Sequence, residues 1–228
     1  MYKINKNKIH IMKKLILILT VFLFSITSYS QNAKYIKAME KALVQLDSAK
    51  SGEDLQTLAN TFERISLVEK EAWLPSYYQA LCHMSLAGKY MKSDMAKCNA
   101  HLDKAQIALD EAKEKKGDVS EIMALQGFIY QGRIWENPQT MGAKYSPLSH
   151  EVLDEAIAAN ADNPRAYFLK GQNVFYTPAF WGGGAENAKP LLEIAQQKFE
   201  TFSPASDLHP KWGKENLDWL LKQTISKQ

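Results

Sequence analysis

A 44-residue internal repetition constrains this chain more than any other feature of its sequence. Met123, Gly127 and Tyr130 recur as Tyr167, Gly171 and Val174. Ala105, Leu109 and Ala112 recur as Ser149, Leu153 and Ala156, and Gly117 recurs as Ala161, so one shift superimposes seven positions. A bulky residue, a small one four later and a bulky one three further on form the surface a helix needs if a second helix is to nest closely against it. The partner helix supplies small residues of its own around an apolar one. Repeats of this kind stack so that each helical hairpin touches only its neighbours.

Apolar residues at three- and four-residue steps mark helices along the rest of the chain. Ile36, Met39, Leu43 and Leu46 set one over 33–50, and Leu55, Leu58, Ala59, Phe62 and Ile65 set a second over 53–70. Further helices are predicted over about 75–88, 93–116, 120–134, 148–160 and 164–176, then beyond the glycine run, and last over 213–222. The stretch 137–147 (NPQTMGAKYSP) holds two prolines and a glycine and reads as a turn that lengthens one hairpin. Period-two alternation of the kind strands need is missing beyond residue 30. The expected fold class is all-α, an α-solenoid of about four helical hairpins closed by a C-terminal capping helix.

The spacing resembles that of tetratricopeptide repeats, whose pattern W-x2-L-G-x2-Y, then A-x3-F, then P runs over about 34 residues. The resemblance covers 53–202, with Gln126 and Lys170 where the family prefers leucine and Gly117 and Ala161 in place of the closing proline. The earlier repeat fits with Tyr78 in the bulky slot and Cys82 in the small one, after a one-residue slip. The family resemblance implies a right-handed stack with a concave face that holds a peptide or partner protein. Carried over residue by residue, that face comprises Gln79, His83, Phe128, Gln131, Arg165, Phe168, Gln172 and Tyr176. Leu217, Trp219, Leu220 and Trp212 are expected to cap the last hairpin. The WLPSYY, FWGGG and LHPKWG segments resemble those of exported bacterial repeat proteins.

Residues 1–30 have the order of a secretory signal peptide, with Lys13 and Lys14 before an apolar run from Leu15 to Phe24 and small or polar residues up to Ser30. The apolar core is shorter than the roughly 20 residues needed to span a bilayer, so cleavage near Ser30 and a periplasmic or secreted product, 31–228, are expected as a single repeat domain. Met12 is an alternative start to Met1. Residues 1–30 hold five of the 28 basic residues, which leaves 23 against 25 acidic ones in the remainder. Such a balance lacks the positive field that nucleic acid requires. Cys82 and Cys98 lie on either side of a predicted hairpin turn and are either a disulfide or two buried thiols.

The run Gly182–Gly184 precedes a helix but is followed by Ala185, Glu186 and Asn187 instead of the Gly-Lys-Ser/Thr of a phosphate loop. It is expected to be a structural loop that packs Phe180 and Trp181 onto a neighbouring hairpin, with Pro190 in the first turn of the helix that follows. His83, His101, His150 and His209 show no metal spacing, and no Gly-x-Ser-x-Gly elbow exists. No cofactor, metal or catalytic group is therefore expected. The main functional expectation is a non-enzymatic, exported module that binds an envelope protein or peptide on its concave face. The alternative is a small ligand or glycan held in a pocket closed by the 137–147 and 177–187 loops.

Overall fold

The structure, a computed structural model, describes residues 33–226. Among these residues all regular structure is helical: α1 (33–48), α2 (Gly52–Val68), α3 (Leu74–Tyr90), α4 (Met95–Glu114), α5 (Val119–Ile134), α6 (Pro138–Ala159), α7 (Pro164–Tyr176), α8 (Ala185–Thr201) and α9 (Lys214–Ser226), with one 3-10 turn at Ala179–Trp181. The signal-like residues 1–30 lie outside the described ones. No described helix is long and apolar enough to cross a membrane.

Local chemistry sets the helix starts. Ser51 and Asp54 form a reciprocal capping box at α2, while Asp94, Asp118, Asn137 and Asn163 each accept a backbone N–H in the first turn of α4, α5, α6 and α7. Helix α4 ends with Lys116 at φ 56° and with the Gly117 N–H bonded back to the Ala112 carbonyl, a closing pattern that satisfies a terminal acceptor.

Helices pair as hairpins, α3 along α4, α5 along α6 and α7 along α8. The first helices also touch in series, α3 with α5 and α5 with α7, and α9 lies on α8. The repeat explains the close approach within hairpins. A Cβ added to Gly127 would lie 2.7 Å from Leu153 Cγ, and one added to Gly171 would lie 2.6 Å from Leu192 Cδ2. Two apolar clusters form the core, one centred on α2 to α5 and one on α5 to α9, and Phe128 and Trp212 pack against both.

Three expectations need correction. The stretch 137–147 is the first half of α6, not a turn. Asn137 caps it and Pro138 occupies a first-turn position where its missing N–H costs nothing; only Pro147 interrupts the ladder, on an exposed surface. The extension packs on α7, since the Asn173 amide donates to the Ser146 carbonyl at 3.0 Å. Pro190 lies inside α8, because that helix already starts at Ala185. At the C-terminal end Leu217 and Leu220 are buried as caps, but Trp219 is exposed and Trp212 precedes α9.

Candidate ligand-binding site

Residues 203–213 form no regular helix; they run back from α8 along the first helices as a strap. Tyr78 donates to the Leu208 carbonyl at 2.9 Å, and Trp212 Nε1 donates to the Tyr77 hydroxyl at 3.0 Å. His209 meets Trp73 edge-on at 5.8 Å, and Trp212 stacks on Phe128 at 6.1 Å. Gly213, at φ 108°, lets the chain turn into α9 where an added Cβ would meet Phe199 at 3.2 Å.

Between this strap and helices α1, α3 and α5 lies a cavity of about 560 Å³. Its walls include Leu43 and Leu46 of α1, Tyr78, Leu81 and Met84 of α3, and Phe128 of α5 with Trp135 just beyond its end. Phe168 of α7 and Asp207, His209, Lys211 and Trp212 of the strap complete it, and Glu40 and Asp47 stand on the α1 side. The space falls within the roughly 300–1,000 Å³ typical of small-ligand sites, and its mixture of aromatic walls with a few polar groups is the usual composition of one.

Beneath the strap the first helices are joined by a polar ladder. Arg165 Nε donates to Glu121 Oε2 at 2.8 Å, and its second terminal nitrogen donates to Glu121 Oε1. The Tyr77 hydroxyl donates to the same carboxylate at 3.2 Å. Arg165 is fully buried, and its guanidinium lies under the Phe202 ring at 4.6 Å and the Trp212 ring at 6.0 Å. Burial drives the Tyr77 hydroxyl far above its ordinary range, with the Glu121 charge adding to the effect, so it stays a neutral donor and acceptor.

The concave residues expected from sequence divide into two groups. Phe128 and Phe168 line the cavity. Gln172 is half-buried and donates to Gln131, which is buried and donates to Ser149 Oγ and the Leu169 carbonyl. Arg165 is spent on Glu121, Gln79 is half-buried outside the cavity walls, and Tyr176 is 64% exposed at the far end of α7. His83 turns into the α3–α4 interface, where its Nδ1 lies 3.3 Å from His101 Nδ1. Burial, then His101 and Lys104, pulls its pKa down to about 4. Cys82 and Cys98 are buried free thiols, and burial pushes Cys82 up to about 12.

The pocket is not closed by the loops that sequence suggested, since 137–147 is helical and the 177–187 loop takes no part in the cavity walls. Phe180 and Trp181, expected to pack inward, are 87% and 74% exposed. The glycines behave as anticipated, with Gly182 and Gly184 at φ 80° and 99°. Trp212, Lys211 and His209 are the lining residues that periodicity could not find. The available signal was the aromatic Trp212 in a proline-containing segment too irregular to be a helix.

Fold and site together define an all-helical protein in which hairpins in series frame a cavity of small-ligand size. No protein-family profile matches the sequence, and no curated protein matches it significantly. Among solved structures it is similar to the HusA haemophore from Porphyromonas gingivalis, at 32% identity and a TM-score of 0.75, over 85% of this chain and 94% of that one. The chain belongs to the same family as that haemophore.

Proposed function

We propose that this chain is a non-enzymatic, exported carrier that binds a haem-type porphyrin in the cavity beneath the strap. The observation that carries this reading is the aromatic-walled space of about 560 Å³ in a relative of a haemophore. A porphyrin is a flat, largely apolar ring with two carboxylates at one edge. Tyr78, Phe128 and Trp212 offer ring surfaces to its faces, and Lys211 offers a cation to its carboxylates. Glu40 and Asp47 repel carboxylates on the opposite side, which orients the acidic edge toward the strap. Export is supported by the signal-like segment 1–30.

Titration of the purified protein with hemin and with metal-free protoporphyrin IX, followed by tryptophan quenching and Soret absorbance, tests the reading. Saturable binding that weakens in Phe128→Ala is expected. Absence of binding to either compound would refute it.

A second reading, docking to an envelope protein, is favoured by a separate observation. Tyr176, Phe180 and Trp181 are exposed together around a loop whose backbone is tightly held. The Gly183 N–H bonds to the Pro178 carbonyl, the Gly184 N–H to the Val174 carbonyl, and the Asn187 amide to the Gly182 and Gly183 carbonyls. Exposed aromatic side chains on a rigid support are common anchors of protein interfaces. Loss of envelope-protein crosslinking in Phe180→Ser with Trp181→Ser, with porphyrin binding intact, is the expected result.

A further inference from the structure

We infer that the chain has a second ligand site, a groove between α1 and α2 that takes an anionic amphiphile, an alkyl chain ending in a carboxylate. The inference stands apart from the porphyrin reading, because the groove and the cavity beneath the strap lie on opposite flanks of α1 and share no lining residue.

Helix α1 sorts its charges by side. Lys34 and Lys41, seven residues or about two turns apart, line the groove, whereas Glu40 and Asp47, with the same spacing, line the cavity. Arg64 of α2 adds a third cation to the groove, and Glu69 is the one acid among the described residues on its walls. The hairpin as a whole has no such excess, since residues 33–69 hold five basic and six acidic ones. The positive charge is therefore local to the groove. A membrane surface calls for a broad positive field, which this hairpin lacks, so a single ligand molecule fits better. None of Lys34, Lys41 and Arg64 forms an ion pair among the described residues, which leaves their charge to a ligand.

Between the cations the walls are apolar. Tyr35 and Ala38 of α1 and Ile65 and Val68 of α2 border a space of about 460 Å³, within the range of small-ligand sites. Val68 is 66% exposed and gives the groove an uncovered apolar edge. The two ends differ in charge. Glu69 stands at the Tyr35 end, where burial, then the Glu69 charge, pushes the pKa of Tyr35 up to about 12. Lys41 and Arg64 lie about 9 Å and about 7.5 Å further along their helices, toward the turn that joins them. There Arg64 Nη2 donates to Thr61 Oγ1 at 3.0 Å, and Thr61 Oγ1 donates to the Thr57 carbonyl at 2.8 Å, which holds the guanidinium along the groove wall. A carboxylate is thus drawn to Lys41 and Arg64 and away from Glu69, with the alkyl chain laid along Ala38, Ile65 and Val68.

Calorimetric titration with laurate, below its micelle concentration, tests the site in the wild type, in Lys41→Gln combined with Arg64→Gln, and in Val68→Asp. All three substituted positions are exposed, and far-UV circular dichroism checks that the variants fold. The wild type is expected to bind one laurate saturably. The double variant should bind about three- to tenfold more weakly, as the loss of two exposed ion pairs implies, and the difference should shrink at about 1 M salt. Val68→Asp should weaken binding at least as much, because it puts a charge where the alkyl chain lies. Dodecyl maltoside, with the same alkyl length and no charge, should bind the wild type more weakly than laurate. A wild type that does not bind laurate saturably overturns the inference, as do folded variants that bind it like the wild type. Equal affinity for laurate and dodecyl maltoside overturns the anionic head group. Cosedimentation with anionic phospholipid vesicles in the absence of laurate binding would make this face a membrane contact and overturn the ligand site.

Discussion

Glu121 and Arg165 lie 44 residues apart, one repeat period, and form an ion pair whose guanidinium is wholly buried beneath the strap. Tyr77, a further 44 residues earlier, donates to the same carboxylate. Three successive first helices are thereby tied at one level, and the Trp212 indole that donates to Tyr77 ties the strap to them. The repeat thus positions the cavity wall as well as the helices.

Removing one member of this pair leaves the other charge buried without its partner. Arg165→Met is expected to cost about 3–5 kcal/mol in urea unfolding, whereas Arg165→Met combined with Glu121→Leu should recover much of that loss. A single variant as stable as the wild type would show that the pair contributes little. The Nη1 atom of Arg165 has no hydrogen-bond partner among the described residues and lies in the aromatic environment of Phe202 and Trp212, so Phe202→Leu should destabilise measurably as well.

The nesting glycines make a separate prediction. Gly171→Ala places a Cβ 2.6 Å from Leu192 Cδ2 and 2.9 Å from its Cγ, so α7 and α8 must part or Leu192 must change rotamer. A loss of about 1–3 kcal/mol is expected. Leu192→Val in the same chain should relieve part of it, and a double-mutant cycle in thermal or urea unfolding reads the coupling.

These glycines were legible in sequence because a helix that nests closely must repeat a small residue in register, and the register survives the long repeat. The start of α7 was legible through Asn163 and Pro164, a cap followed by a proline at the first helical position, whereas Ser51 and Asp118 read as the ends of the preceding helices and cap α2 and α5 as well. The strap was not. Its conformation is set by contacts more than 100 residues away in sequence, Tyr78 with Leu208 and Tyr77 with Trp212, and no local period records them. The first half of α6 was concealed for the opposite reason: Pro138, Gly142 and Pro147 are local turn signals, overridden by the Asn137 cap and by packing on α7. His83 looked like a groove residue because the matching position faces inward in tetratricopeptide repeats, whose spacing this chain resembles, yet its ring is drawn toward His101.

His83 also gives stability a pH dependence. Its folded pKa, about 4, lies below the ordinary 6.5, so between these values the unfolded chain binds the proton more readily. The contribution is present in full above about pH 6.5, is lost as pH falls, and levels off below about pH 4. A loss of up to roughly 3 kcal/mol follows from the size of the shift. Urea midpoints at pH 7 and pH 4.5 should therefore differ less in His83→Gln than in the wild type. His101, whose pKa burial also lowers, acts in the same direction, so the variant should keep a smaller slope.

Lys211 tests how the ligand sits. Its ammonium lies 3.4 Å from Asp207 and both side chains are largely exposed, so the existing pair is weak and easily exchanged for a ligand carboxylate. If the acidic edge of a porphyrin faces the strap, Lys211→Ala should weaken protoporphyrin IX binding about two- to fivefold, as expected for one solvent-exposed ion pair. The loss should shrink as salt is raised from about 0.01 M to 1 M, because screening shortens the reach of exposed charges. The dimethyl ester of the same porphyrin supplies the control: it has no carboxylate charge, and Lys211→Ala should leave its affinity unchanged. Equal losses for acid and ester would mean that the lysine stem, not its charge, contacts the ring. No loss for either would turn the carboxylates away from the strap and reverse the orientation drawn from Glu40 and Asp47.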